Sequence, residues 1–386
     1  MSMGRSKIAE RQSLNTQRAP AKDRIAFVGH MGFADFYGIG GMQSYMRRLA
    51  IELAHLGWSV DYLVHGAPSQ SEMSPMSGIT IRYFRSLEDA FSWLASGDYE
   101  HVVRVWLSRR DRARYVRHVW TQRTRTRYHH IWFIVPDSPT KRALGLVEGL
   151  LTSRRGHLVC VSPRQFGRMR WLGRKSVLLL PPVPESFFME PERKPLRQPF
   201  RITFLGVLHP DKGIKDVVRL FLAFKHDPRF KCTIYASHNP ADPQQVALHR
   251  QLTDQQGLGY VPMQVRLWSP EGEEQVRQIL HDTDIFIQPY QSLQNTVDTP
   301  LLVLEAMAAS CGVMTTPIGS IPKLYGNSQF VIPMPGFASR AEEVLKSLSL
   351  EDLTVERNRV YHRVQQLQFS AREVAQRFAK EVLEDG

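Results

Sequence analysis

What this chain lacks narrows its chemistry before any motif is read. It has three cysteines, Cys160, Cys232 and Cys311, far apart and outside any CxxC or Cys/His cluster. That spacing supports neither a disulfide framework nor a zinc site, and it fits a reducing compartment. No apolar run approaches the ~20 residues that a bilayer-spanning helix needs. The first 23 residues are polar, with scattered Lys and Arg and no hydrophobic h-region, so a disordered tail over 1–23 is expected rather than a secretory signal. HExxH, GxSxG and GxxxxGK followed by Ser or Thr do not occur, which disfavours zinc proteases, α/β-hydrolases and P-loop NTPases. No DxD-type acidic pair stands in a convincing loop, so no metal cofactor is expected.

Acidic residues are also short. The 37 Asp and Glu face 50 Lys and Arg across 386 residues, a net charge of +13. Such a balance favours nucleic acid, an anionic membrane surface or anionic substrates. The excess belongs mainly to the first half. Arg104, Arg109, Arg110, Arg112, Arg114, Arg117, Arg123, Arg125 and Arg127 stand against one acid, Asp111, and Arg154, Arg155, Arg164, Arg168, Arg170, Arg174 and Lys175 continue the bias. No RRM, KH, zinc-finger or helix-turn-helix signature accompanies them, so nucleic acid is not expected as a partner. Trp106, Trp120, Trp132 and Trp171 lie among these arginines, a composition suited to a membrane interface.

What is present is length, apolar content and alternation. A hydrophobic share of 42% is ample for two cores, and 386 residues suit two domains. Arg24-Ile-Ala-Phe-Val-Gly29 reads as a buried parallel strand. A loop with Gly32, Gly38, Gly40 and Gly41 follows. Met42, Tyr45, Met46, Leu49, Leu53 and Leu56 then form a helical stripe that Gly57 stops, and Trp58–Val64 is the next strand. That is a βαβ unit. His101–Leu107, Tyr128–Val135 and His157–Val161 are further strands. A Pro- and charge-rich interruption closes the first half, and Phe200–Leu205 opens a second series with Cys232–Ala236, Met263–Leu267, Asp284–Gln288 and Val313–Thr316. Helices between these strands predict an α/β fold with two doubly wound parallel sheets. The expected organisation is a tail (1–23), a first domain (24–184), a linker (185–199), a second domain (200–369) and a final helical segment (370–386).

Four stretches carry candidate chemistry. Gly40-Gly41 precedes a helix N-terminus, where backbone N–H groups and the helix dipole suit a phosphate; a flexible turn is the plainer reading. Leu205-Gly-Val-Leu-His-Pro-Asp-Lys-Gly213 repeats the arrangement in the second half, with Lys212 and Gly213 at a sheet mouth. Lys212 there suits a diphosphate, or is a solvated turn residue. Leu304-Glu-Ala-Met-Ala308 begins a helix just beyond Pro300, and Glu305 can accept from ribose hydroxyls or serve as a first-turn acid. Gly319-Ser-Ile-Pro322 is another strand-end loop.

The order and spacing of these pieces resemble the retaining family 4 glycosyltransferases of the GT-B type (glycosyl transferases group 1). The resemblance runs through Gly40-Gly41 with Leu49-Ala-Ile-Glu-Leu-Ala-His-Leu-Gly57, Lys212-Gly213 after Phe204-Leu-Gly206, Asp284-Ile-Phe-Ile-Gln-Pro289, Leu301-Leu-Val-Leu-Glu-Ala-Met-Ala308 and Gly319-Ser-Ile-Pro322, and it covers nearly the whole chain after residue 24. It implies two Rossmann-like domains facing across a cleft, a final helix crossing back to the first, and metal-independent transfer of a sugar from a nucleoside diphosphate donor. The acceptor would be a glycan, a glycolipid or a lipid-linked saccharide. Carried onto this sequence, it implies that Gly40, Gly41, Lys212 and Gly213 meet the diphosphate, and that Glu305, Leu301, Leu302, Asp298 and Pro289 line the nucleoside and sugar. Lys212 is the expected catalytic residue, joined by Asp137, which stands where the family commonly has a His.

Three departures stand out. The family's first donor-sugar glutamate falls on Val297, its diphosphate-binding Arg falls on Val207, and Pro136-Asp137 replaces a His. They motivate a second expectation, a catalytically silent GT-B-like binding or scaffold protein. The expected location is the cytoplasm, with peripheral attachment at the inner membrane face.

Overall fold

The computed structural model describes residues 22–28, 41–65, 78–97, 99–105, 109–121, 125–133, 143, 147, 149–151, 153–170, 175–263, 270–293 and 297–384. Gly40, Asp137, Trp106, Trp171 and most of the expected tail lie outside them.

Two all-parallel sheets form the scaffold. The first contains β1 (Lys22–Val28), β2 (Trp58–His65), β3 (Ile79–Phe84), β4 (His101–Arg104), β5 (Arg127–Trp132), β6 (Arg155–Cys160) and β7 (Ser176–Leu178), in the order β3-β2-β1-β4-β5-β6-β7. The second contains β8 (Phe200–Val207), β9 (Phe230–Ser237), β10 (Tyr260–Pro262), β11 (Ile285–Gln288) and β12 (Gly312–Thr315), in the order β10-β9-β8-β11-β12. Strands buried on both faces read as unbroken apolar runs. Ile25 to Val28 and Ile285 to Ile287 are such runs, without any exposed surface.

The second sheet fixes where a ligand can sit. From β8 the chain winds outward through β9 to β10, then returns to place β11 on the other side of β8. The strand order therefore reverses between β8 and β11. In open α/β sheets the crevice beyond the carboxyl ends of the strands at such a point is where ligands bind.

Helices are started by short polar side chains. Ser86 Oγ accepts from the Asp89 N–H, and Ser349 and Ser370 form capping boxes with Asp352 and Glu373. The last of these opens the Ala371–Phe378 helix, which continues as a wider turn over Ala379–Glu384. It returns to the first sheet: the Ala371 N–H donates to Val183 O, Arg377 Nη2 to Leu178 O at 3.1 Å and Arg127 Nη1 to Leu383 O at 3.1 Å.

Several expectations shift. Of the strand expected at Met263–Leu267 all but Met263 lies outside the described residues, and the strand described just before it, Tyr260–Pro262, was not expected. Ile79–Phe84 was not expected, although Ile79, Ile81 and Tyr83 alternate with Thr80 and Arg82. Trp132 is only 7% exposed, packed with Leu158, Cys160 and Met169, so it is a core residue and does not belong to an interfacial face. Arg104 is likewise fully buried, its guanidinium over the Tyr115 ring. Trp120, by contrast, is 54% exposed.

Candidate functional site

Glu305 shows how the cleft is built. Apolar neighbours on every side of the Leu301–Ala308 helix bury it completely, and Glu305 sits in its second turn with no exposed surface. The helix starts at Leu301, so Glu305 lies beyond its first turn and is not the first-turn acid of the alternative reading. A buried carboxylate needs a partner, and Arg48 of the first domain supplies it. Arg48 Nη2 donates to Glu305 Oε1 at 2.6 Å, and Arg48 also reaches Glu273 and the Pro182 carbonyl. Arg47 pairs with Glu273 at 3.0 Å. Burial drives the Glu305 carboxyl upward and the Arg48 guanidinium draws it back, leaving it above the ordinary carboxylate value. Glu305 Oε2 has no hydrogen-bond partner among the protein atoms.

Asp298 repeats the pattern on the loop before that helix. It is 4% exposed, and its carboxylate accepts from Ser162 Oγ, from Ser320 Oγ at 2.6 Å and from Arg164 Nη1 at 3.2 Å. Ser162 caps the Pro163–Met169 helix of the first domain, and Ser320 follows Gly319 in the second. Gly319 has φ +60°, and a Cβ there would stand 2.8 Å from the Asp298 carbonyl, so only glycine lets these two loops meet. Both carboxylates are thus held by cations from across the cleft.

Lys212 closes the short turn Pro210–Lys212 after β8, stopped by Gly213 at φ +72°. A Cβ on Gly213 would lie 2.1 Å from the Pro289 carbonyl, so glycine is what allows this turn to seat against the end of β11. The Lys212 ammonium lies 4.9 Å from the centre of the Tyr290 ring. Burial pulls its pKa down to about 8, with Asp211 pulling the other way. Tyr290 is itself buried and feels the charge of Glu305. Lys212 therefore contacts Tyr290, Tyr290 lies in the field of Glu305, and Glu305 is paired with Arg48 of the first domain.

Of the remaining sequence candidates, Pro289 is buried at the end of β11, and Leu301 and Leu302 are core residues at 5% and 9% exposure. Gly41 begins the Gly41–His55 helix, and a Cβ there would touch nothing within 4 Å. Arg48, Glu273, Ser162, Arg164 and Tyr290 were not singled out from sequence. Arg47-Arg48, within an otherwise apolar helical stripe, was the available signal: a charge on a buried face needs a partner. Among the described residues, no group of three or more His, Cys, Asp or Glu is placed to hold a metal ion.

With this geometry in view, likeness to known proteins becomes informative. Residues 199–349 match the family model described as "Glycosyl transferases group 1". No curated protein matches the sequence. Among solved structures, a glycosyltransferase from Rickettsia africae ESF-5 is 14% identical with a TM-score of 0.66, covering 94% of this chain and 99% of that one. AviGT4, a glycosyltransferase involved in avilamycin A biosynthesis, is 15% identical at a TM-score of 0.60, over 93% and 97%. Anabaena HepE, in complex with UDP and glucose, is 10% identical at 0.64, over 93% and 99%. At such identities the likeness is one of fold. The fold is GT-B: two Rossmann-like parallel-sheet domains facing across a cleft.

Proposed function

We propose that this chain is a glycosyltransferase that takes a sugar from a nucleoside diphosphate donor, in the crevice where β8 and β11 part, and passes it to a glycan, glycolipid or lipid-linked acceptor. The observation that carries the reading is the Lys212 ammonium set over the Tyr290 ring just beyond β11, with the buried carboxylate of Glu305 on the helix that follows. A diphosphate needs cationic and N–H groups as it leaves, and a ribose diol needs a carboxylate acceptor; this site offers a lysine and a carboxylate with one free oxygen.

In this reading Lys212 and the backbone beside Gly213 neutralise the charge that grows on the departing diphosphate. Glu305 receives the ribose hydroxyls, and Leu301, Leu302 and Pro289 form the apolar floor beneath them. Asp298 holds the loop facing the sugar. Gly41, which begins the Gly41–His55 helix of the first domain, is assigned to the diphosphate; Gly40, assigned with it, and Asp137, assigned as the second catalytic group, lie outside the described residues. Transfer retains anomeric configuration and uses no metal, because the fold supplies the positive charge itself.

The acceptor side is the basic first domain. Trp120 is exposed there, its indole N–H donating to Leu151 O at 3.0 Å, beneath the Arg154 guanidinium. Val147, Leu150 and Leu151 are exposed beside it. An exposed apolar group with the Arg154 guanidinium over the Trp120 ring suits the headgroup region of an anionic bilayer, so we assign peripheral membrane attachment from the cytoplasmic side to this face. No described helix is long and apolar enough to cross a membrane.

The test is incubation with a panel of nucleotide sugars, with and without EDTA, following release of the nucleoside diphosphate. Release from one donor, undiminished by EDTA, is expected. Binding without turnover would favour the silent-subunit reading, which Val297 and Val207 support. Activity abolished by EDTA and restored by Mg²⁺ or Mn²⁺ would overturn the metal-free mechanism.

A further inference from the structure

Three buried oxygens along one stretch of the second domain lack a hydrogen donor: Gln288 Oε1, Thr299 Oγ1 and Glu305 Oε2. Gln288 is 1% exposed, and Thr299 and Glu305 have no exposed surface. A buried polar atom left unpaired costs roughly 1–3 kcal/mol, so three in succession within 18 residues of chain need a reason. They are not scattered through the core. Gln288 is the last residue of β11, Thr299 lies in the loop that leaves it, and Glu305 is on the helix that the loop enters.

Gln288 is the informative one. It ends the strand that borders the switch point, beside Gly206 at the end of β8. A Cβ built on Gly206 would come within 3.9 Å of both amide atoms of Gln288, so the amide lies beside the end of β8. The main chain of Gln288 is held firmly. Its carbonyl accepts from Thr315 Oγ1 at 2.7 Å and from the Tyr290 N–H at 3.1 Å, so the side chain starts from a fixed point.

We propose that Gln288 is a specificity-determining residue that hydrogen-bonds a hydroxyl of the donor's glycosyl unit. The inference deepens the donor reading above and rests on it. The chemistry of the unpaired atoms selects the ligand. A diphosphate has no proton to donate at neutral pH and would leave the Gln288 and Glu305 oxygens unmet, although the Thr299 hydroxyl can itself donate. A polyol supplies O–H donors, and an amide can both donate to and accept from hydroxyls. Glu305 Oε2 is the acceptor left for the ribose, Gln288 takes the sugar, and Thr299 lies between them in sequence. The position matters more because Val297, on the same loop, offers no polar atom.

The experiment compares Gln288→Leu with wild-type full-length protein by thermal shift and by steady-state turnover. The probes are UDP and UDP-glucose, GDP and GDP-mannose, and ADP and ADP-glucose, carrying forward the pair that shifts wild type most. Replacing an unpaired buried amide by a similar apolar side chain should leave the unliganded melting temperature unchanged or higher. The shift given by the nucleoside diphosphate should persist. The extra shift given by the sugar-bearing ligand should disappear, and kcat/KM should fall about 10- to 100-fold. A lower unliganded melting temperature would mark the amide as structural and overturn the proposal. Equal loss of nucleoside diphosphate and nucleotide sugar, or loss of neither, would also overturn it. If wild type responds to none of the six ligands, it is the donor reading itself that fails.

Discussion

Replacing Arg48 by Met isolates one of the contacts that tie the two domains together. Arg48 is 3% exposed and bonds Glu305 at 2.6 Å, Glu273 at 3.2 Å and the Pro182 carbonyl at 3.0 Å. Methionine fills much of the volume but leaves Glu305 buried without its cation. Breaking a buried pair from one side costs about 3–5 kcal/mol. Glu305 has an escape, however, because it can take up a proton. From an ordinary carboxyl value of 4.5, protonation at pH 7 costs about 3.4 kcal/mol, at 1.36 kcal/mol per unit. The destabilisation should therefore be about 3 kcal/mol at pH 7, which lowers the melting temperature by roughly 6–12 °C at 2–4 °C per kcal/mol. The same arithmetic fixes the pH dependence. In the variant, the folded-state pKa of Glu305 rises well above its unfolded value, so the folded state holds the extra proton. Stability is then lost as pH rises, and at pH 5 the deficit should shrink to about 1 kcal/mol. Thermal unfolding at pH 5 and pH 7 measures it. Adding Glu305→Gln to Arg48→Met should restore most of the loss at pH 7, because the unpaired charge is gone. A wild-type melting temperature at pH 7, or an equal deficit at both pH values, would refute the reasoning.

The remaining predictions follow from the same geometry. Lys212→Ala should lower kcat/KM by about two decades. In wild type, nucleoside diphosphate affinity should weaken as pH rises through about 8 and the ammonium is lost, whereas Lys212→Arg should remain flat to higher pH; calorimetry across pH 7–9.5 reads both. Gly213→Ala demands a left-handed backbone and a Cβ inside the Pro289 carbonyl, so it should destabilise by more than about 1 kcal/mol and abolish donor binding, as urea unfolding and titration would show. Cosedimentation with liposomes should rise with anionic lipid and fall with salt, and it should weaken in a Trp120→Ser, Arg154→Ser variant; equal failure to bind neutral and anionic vesicles would remove the membrane assignment.

The strands were legible where burial on both faces left unbroken apolar runs, as in Ile25–Val28 and Ile285–Ile287. The alternation of strand and helix then gave two parallel sheets without further information. β3 escaped because its run is half-exposed and mixed with Thr80 and Arg82, and β10 because Tyr260–Pro262 contains a proline that masks a short edge strand. Lys212 and Glu305 could be named from motif order alone. Their surroundings could not, because Arg48 lies 257 positions from Glu305 and Ser162 lies 136 from Asp298. Local sequence carries the propensity of each segment, whereas these pairs exist only because two separately folded sheets face one another. Trp132 shows the same limit in reverse. Its neighbouring arginines suggested an interface, while its place on β5, with the alternating faces of a strand, sends it into the core.

The central claim is that the second sheet's switch point holds a nucleoside diphosphate through Lys212 and Glu305. Calorimetric titration of the full chain with a nucleotide sugar and its nucleoside diphosphate tests it most directly, in wild type, Lys212→Ala and Glu305→Ala. One-to-one binding is expected in wild type. Both ligands should weaken by at least about tenfold in Lys212→Ala, and by similar factors to each other in Glu305→Ala, because the ribose is common to both. Absence of binding by every nucleotide sugar, or wild-type affinity in both variants, would contradict the account.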